Sequence, residues 1–168
     1  MAVRRTLVIL RHAKSDWPEG VPDEQRPLAN RGRRDAAAAG RWLRDEVGRI
    51  DLVVCSPAVR ARQTWQLAAA ELARQPQPRL TEDERVYAAS ADELYGVVQD
   101  LPDRAGTVLL IGHNPGLQDL VELLSGQPCE LKTAAIAVLS WPGRWLDGAP
   151  GKAALDAGAT PRARRADR

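Results

Sequence analysis

The sequence predicts an α/β fold, a three-layer sandwich whose mainly parallel central sheet is flanked by helices on both faces. Three short apolar runs, RRTLVIL (4–10), DLVVCS (51–56) and GTVLLIG (106–112), read as strands buried on both faces. Segments of helical spacing follow each of them, and strands alternating with helices call for a parallel sheet. The length of 168 residues and ordinary globular composition, 44% hydrophobic and 27% charged, fit one domain over residues 1–160.

In order, the first strand ends at Arg11 and His12. Residues 13–29 hold Pro18, Pro22, Pro27 and Gly20 without sustained periodicity and are expected to form a long loop. Alanines with Trp42, Leu43 and Val47 predict a helix from Asn30 to Val47, with Asn30 as N-cap. The second strand closes at Pro57, and a helix over 58–73 places Trp65, Leu67 and Leu72 on its buried side. After the break QPQPR come a short strand near Leu80 and a helix over 91–101 carrying Leu94, Val97, Val98 and Leu101. The run at 106–112 leads through HNPG into a helix over 117–124. AAIAVLSW (134–141) is a late strand, and 153–157 offers one further edge strand.

Composition excludes several classes. The formal net charge is +2, but the last eight residues, PRARRADR, carry four Arg against one Asp, so the body is not basic and no specific nucleic acid is expected. Residues 161–168 are expected to be a disordered basic tail. No apolar run approaches the ~20 residues of a membrane span, so no membrane partner and a cytoplasmic location are expected. Two cysteines and two histidines are too few for a zinc site or a disulfide framework, so no metal and no cofactor are expected. A monomer is the expected state.

In open parallel sheets ligands bind beyond the carboxyl ends of the strands. Three strands end there in suggestive groups: Arg11-His12, Ser56 with Arg60 four residues on, and Gly112-His113-Asn114. A strand-end arginine alone is commonly just solvated, but two guanidiniums with two imidazoles suit a tetrahedral phosphate. Such a set fits phosphoryl transfer, in which equatorial charge is neutralised and a neutral imidazole serves as nucleophile. Nearby Arg charges would keep that imidazole unprotonated. The cysteine phosphatase spacing fails by one residue, because Cys55 requires Arg at the position held by Ala61. No G-x-x-x-x-G-K-[ST] loop and no G-x-S-x-G elbow occurs.

The segments LVILRHAKSDW (7–17), RPLANRG (26–32), CSPAVRARQT (55–64) and VLLIGHNPGL (108–117) together resemble the histidine phosphatase superfamily. The fold so implied is phosphoglycerate mutase-like, and RHA followed by KSDW in a small chain resembles the SixA-type phosphohistidine phosphatase branch. The resemblance implies that His12 is the nucleophile and that Arg11, Arg60 and His113 bind the phosphoryl group. It places Arg26 at the rim, although a solvated loop arginine fits that position too. Ser56, Asn114 and Thr133 could contact phosphate, and capping or turn chemistry explains them equally well.

The match is thinnest at the proton donor, because Asn114 follows His113 where acid phosphatases carry Asp. Asp16, Glu82, Asp83 and Glu84 are candidates, and solvated loop carboxylates are the plain alternative. An alkoxide leaving group gains much from a general acid, whereas an imidazole, reference pKa ~6.5, needs it far less. The expected activity is therefore that of a metal-independent phosphatase acting on protein phosphohistidine. A broad small-molecule phosphomonoesterase, acting on phosphorylated metabolites, is the alternative. A phosphate- or nucleic-acid-binding module without turnover is the third reading.

Overall fold

A computed structural model describes residues 3–164 of the chain. Six strands are described: β1 (Arg4–Arg11), β2 (Leu52–Cys55), β3 (Arg79–Glu82), β4 (Thr107–Gly112), β5 (Ile136–Pro142) and β6 (Ala154–Ala159). They form one sheet in the order β3-β2-β4-β1-β5-β6. β3, β2, β4 and β1 run parallel, with Leu10 opposite Ile111 and Val54 opposite Leu110. β5 and β6 are antiparallel to their neighbours, so the sheet is mixed but mostly parallel.

Alternation along the strands builds two cores, since successive side chains point to opposite faces. Leu7, Ile9, Val54, Val108 and Leu110 face α3 (Ala91–Gln99) and α4 (Gly116–Ser125), meeting Leu94, Val97, Leu117, Leu120 and Leu124. Val8, Leu10, Val53, Leu109 and Ile111 face α1 (Asn30–Trp42) and α2 (Val59–Ala70), meeting Ala39, Leu43, Ala61, Trp65 and Ala68. Every central strand is thus covered on both sides, as its continuous apolar run requires.

Several boundaries differ from the expectation. Asn30 is the first helical residue, and the capping position falls on Ala29, whose methyl cannot accept a hydrogen bond. α1 is regular to Trp42 and then widens into a π turn over Leu43–Val47 before Gly48, at φ 80°. α3 opens with a capping box in which Ser90 accepts from the Glu93 amide and Glu93 reaches back to the Ser90 amide. β5 begins two residues later than expected, because Ala134 adopts φ 58° and donates its N–H to the carbonyls of Arg11 and His12. That bond ties the start of β5 to the end of β1. Within the expected tail, Ala163 is buried and its N–H reaches Asp35 Oδ1 at 3.1 Å, with Arg162 3.8 Å from the same carboxylate. Residues 165–168 lie outside the described residues. Among the described residues no helix is long and apolar enough to cross a membrane.

Candidate active site

The carboxyl ends of β1, β2 and β4 carry the strand-end residues to one place. The His12 amide still continues the ladder, donating to the Gly112 carbonyl at 3.1 Å, and the His12 and His113 rings stand 5.1 Å apart. His12 is 8% exposed, and its Nδ1 lies 2.7 Å from the Ala13 carbonyl. A carbonyl only accepts, so Nδ1 carries the proton and the lone pair of the neutral ring is on Nε2. Burial pushes the His12 pKa down to about 3; His113, Arg60 and Arg11 push the same way against the Ala13 bond. At neutral pH His12 is an uncharged base with a fixed tautomer.

His113 is lowered to about 4, first by burial and then by Arg60 and Arg11, with Asp23 opposing. Its Nε2 meets Ser56 Oγ at 2.7 Å, and Ser56, fully buried, also accepts the Ala58 amide at 3.2 Å. Ser56 therefore both orients the ring and helps to start α2. Its contact is to His113, as a support behind the imidazole. Asn114 is committed to local structure, with Nδ2 on the Leu131 carbonyl at 2.7 Å and on Gln118 Oε1 at 3.0 Å. The same Leu131 carbonyl accepts from the guanidinium of Arg11 at 3.0 Å, so one oxygen steadies both strand ends. Thr133, half-buried, occupies the turn just before Ala134.

The first turn of α2 brings in Arg60, 5% exposed. Its two terminal nitrogens both engage Asp23, one on the backbone carbonyl at 2.6 Å and one on Oδ2 at 3.1 Å. Arg26, 6% exposed, donates to Asp23 Oδ1 at 3.1 Å, to Ser15 Oγ at 2.9 Å and to the Asp16 carbonyl at 3.1 Å. Its guanidinium also lies 3.4 Å from the ring centroid of Trp17, which is 74% exposed. Arg26 is thus a fixed member of the cation cluster and not a solvated loop residue. Tyr87, just past the turn Glu84–Val86, donates its hydroxyl to Asp23 Oδ2 at 2.5 Å and presents its ring edge-on to His113 at 5.6 Å.

Asp23 and Tyr87 are the site residues that sequence reasoning missed. Asp23 is one of several acidic loop residues, and nothing in its local sequence distinguishes it from a solvated carboxylate. Its pKa falls to about 2, first through the Tyr87 hydroxyl and then through Arg60 and Arg26, against partial burial. Tyr87 is raised, chiefly because its proton is held by Asp23. Of the expected proton donors, Glu82 is ion-paired with Arg62 at 3.1 Å on the sheet edge, and Asp83 is held by Arg85 at 2.8 Å. Asp16 and Glu84 are exposed, and the backbone carbonyl of Asp16, not its carboxylate, is what meets Arg26.

Two close approaches seat this cluster. A Cβ at Gly32 would stand 2.0 Å from the Lys14 carbonyl oxygen, so only glycine lets α1 lie against the segment after His12. A Cβ at Gly116 would meet the Ala89 carbonyl at 2.2 Å, where α4 abuts the turn bearing Tyr87. Two further α2 side chains fasten the loop: Thr64 Oγ1 accepts the Ala13 amide at 3.0 Å, and Gln63 Oε1 accepts the Leu28 amide at 2.8 Å. The long loop is therefore tied down at both ends. Three buried polar nitrogens of the cluster have no protein partner: Arg11 Nε, Arg60 Nε and His113 Nδ1. Cys55 is buried, and its thiol is pushed up to about 12, mainly by burial, so it offers no thiolate. Among the described residues no three His, Cys, Asp or Glu side chains are grouped to hold a metal ion.

The sequence profile of the histidine phosphatase superfamily (branch 1) matches residues 7–104. The chain belongs to this superfamily. An uncharacterised protein of Mycobacterium tuberculosis is 38% identical over 157 residues, covering 87% of this chain and 96% of its own length. A chloroplastic protein of Arabidopsis thaliana is 28% identical over 164 residues, covering 89% and 75%. Among solved structures, a Nakamurella multipartitia protein provisionally named phosphohistidine phosphatase SixA superposes with a TM-score of 0.81 at 33% identity, covering 94% of this chain and 96% of that one. A protein histidine phosphatase SixA complexed with tungstate has a TM-score of 0.80 at 24% identity, covering 93% and 97%, and speaks to the fold alone. So does a phosphoglycerate mutase of Bacillus anthracis, at 0.70 and 13% identity over 93% of each chain. The histidine phosphatase fold, phosphoglycerate mutase-like, is thus shared along nearly the whole chain.

Proposed function

We propose that this histidine phosphatase hydrolyses protein phosphohistidine through a phosphoryl-enzyme intermediate on His12, without a metal. The observation that carries the reading is the state of His12: neutral, buried, with Nδ1–H locked on Ala13 and the Nε2 lone pair left for attack. Nε2 forms a bond to phosphorus while the bond from phosphorus to the substrate nitrogen breaks, and the departing imidazole takes its proton from water. In the second half, water adds to phosphorus, the P–Nε2 bond breaks, and His12 returns neutral with inorganic phosphate released. The guanidiniums of Arg11 and Arg60 supply the donors for the equatorial oxygens. With Ser56 assigned as donor to Nε2 of His113, Nδ1–H supplies a third.

The substrate class rests on the acid. The carboxylate that touches the cluster, Asp23, is held ionised down to about pH 2 and has no proton to give at neutrality. An alkoxide would leave unaided, whereas imidazole is a good leaving group. The rim also favours a protein: Trp17, 74% exposed, stands on the rigid Arg26 as an apolar contact for a partner surface.

The test compares wild type with His12→Ala, in EDTA, on a phosphohistidine protein and on an aryl phosphate, following phosphate release and acid-labile labelling of the enzyme. Fast, His12-dependent release from phosphohistidine with weak ester hydrolysis supports the proposal. Strong ester activity without preference for protein moves the assignment to a phosphomonoesterase acting on small metabolites. Turnover or labelling retained by His12→Ala would refute the mechanism.

A further inference from the structure

The residue that the reaction above leaves without a chemical role is Asp23. Its carboxylate is fastened from three separate parts of the chain: Arg26 in its own loop, Arg60 in the first turn of α2, and Tyr87 after β3. Both terminal nitrogens of Arg60 donate to this one residue, and Nε has no protein partner. Loop ion pairs are ordinarily exposed and worth little. Here one half-exposed carboxylate joins two arginines whose side chains are each more than nine-tenths buried. It also lies within electrostatic reach of His113, whose proton affinity it raises against the surrounding cations.

With both imidazoles neutral, the cluster facing a phosphoryl group is Arg11, Arg26 and Arg60 against the charge of Asp23. A phosphate dianion therefore meets a site less positive by one charge than its arginines alone would make it. We propose that Asp23 is a positioning residue that limits how tightly the site holds inorganic phosphate, by aligning Arg60 while sharing its positive charge with the phosphoryl group. The alignment serves the transition state, whose developing negative charge the Arg60 guanidinium stabilises. The shared charge penalises the free dianion that must depart at the end of each cycle, when over-tight binding would stall turnover. This inference rests on the phosphatase reading, because the ligand is that reaction's product.

The sign of the effect separates this role from a merely structural one. If Asp23 only held Arg60 in place, removing its charge would loosen the guanidinium and weaken phosphate binding. If it shares the charge, removal tightens binding. The experiment titrates inorganic phosphate calorimetrically into the full chain and measures phosphate inhibition of aryl phosphate hydrolysis, for wild type, Asp23→Asn and Asp23→Glu. Asp23→Asn is expected to bind phosphate about three- to tenfold more tightly, the range for one half-exposed charge acting on a dianion through a largely aqueous dielectric. KM and kcat should fall together as release slows. The gap between the two proteins should narrow at high salt, which screens exposed charge. Asp23→Glu, keeping the charge, should return affinity toward wild type. Asp23→Ser, neutral but still an acceptor, carries the same expectation should the Asn amide misfit Arg26 and prevent folding.

Unchanged or weaker binding in the neutral variants overturns the proposal, and so does a Glu variant that behaves like Asn. Absence of phosphate binding by wild type and by the neutral variants alike would overturn this inference, while the phosphatase reading stands or falls on labelling at His12. Asp23-dependent phosphate binding in a chain that never labels at His12 would overturn the phosphatase reading alone.

Discussion

Two neutral imidazoles, His12 buried and His113 partly buried, make the stability of this protein sensitive to mild acid, and the size of the effect follows from their environments. His12 and His113 titrate at about 3 and about 4 in the folded chain, against ~6.5 in an unfolded one. A depressed histidine favours the unfolded state wherever unfolded chains take up protons that the folded one refuses. Stability is therefore full above about pH 7 and is lost as pH falls from about 6.5 toward the folded values. By about pH 5 each imidazole costs about 2 kcal/mol relative to neutrality, or about 4 kcal/mol for the pair, a large part of the 5–15 kcal/mol typical of a domain. Asp23 works in a different window: its folded pKa of about 2 lies below the ordinary carboxylate value, so its contribution is present above about pH 4 and is lost only below it. Between pH 7.5 and 5 the two histidines dominate among these three groups. Urea unfolding at both pH values, on wild type and His12→Gln, isolates one of them. The variant should lose about 2 kcal/mol less than wild type on acidification. An identical loss in the two proteins would refute the buried, neutral state of His12 and with it the basis for proposing it as nucleophile.

His12→Ala should abolish turnover and acid-labile labelling while calorimetry still detects phosphate, because Arg11, Arg60 and His113 remain. Arg60→Ala should cost about 2.7–4 kcal/mol in kcat/KM, as loss of one preorganised donor does, read from steady-state kinetics. Ser56→Ala removes the support of His113 at 2.7 Å and should lower kcat/KM roughly tenfold, about 1.4 kcal/mol. Gly32→Ala forces a methyl toward the Lys14 carbonyl and should destabilise the fold by about 1–3 kcal/mol in urea unfolding, with activity falling in parallel as the segment after His12 shifts.

The strands and the strand-end residues were legible in the sequence for one reason. A parallel strand covered on both faces must be apolar throughout, so RRTLVIL, DLVVCS and GTVLLIG stand out, and whatever polar group ends each run lies at the ligand-binding edge. That brings Arg11, His12 and His113 together, and Arg60 joins them from the first turn of α2. The helix ends were less legible: Asn30 resembles a cap, but the chain enters α1 one residue earlier, at Ala29. The weak strand β3, exposed at every position, carries almost no apolar signal and is defined by its ladder with β2.

Tertiary structure decided what the charged residues do. Arg26 and Arg60 are buried and share Asp23, across 3 and 37 residues of sequence, and Tyr87 joins them from 64 residues away. Glu82 and Asp83, as acidic as Asp23, are drawn to Arg62 and Arg85 outside the cluster. Local sequence could not sort these carboxylates, since all sit in polar surroundings and differ only in which cation folding brings against them. The sequence by itself determined the layered fold and pointed to four candidate groups at the carboxyl edge of its sheet, because hydrophobic periodicity is a local property of the chain. The fixed tautomer of His12, its neutrality and the arginine partners of Asp23 came from packing, because desolvation and Coulomb energy depend on distances that exist only once the chain has closed on itself.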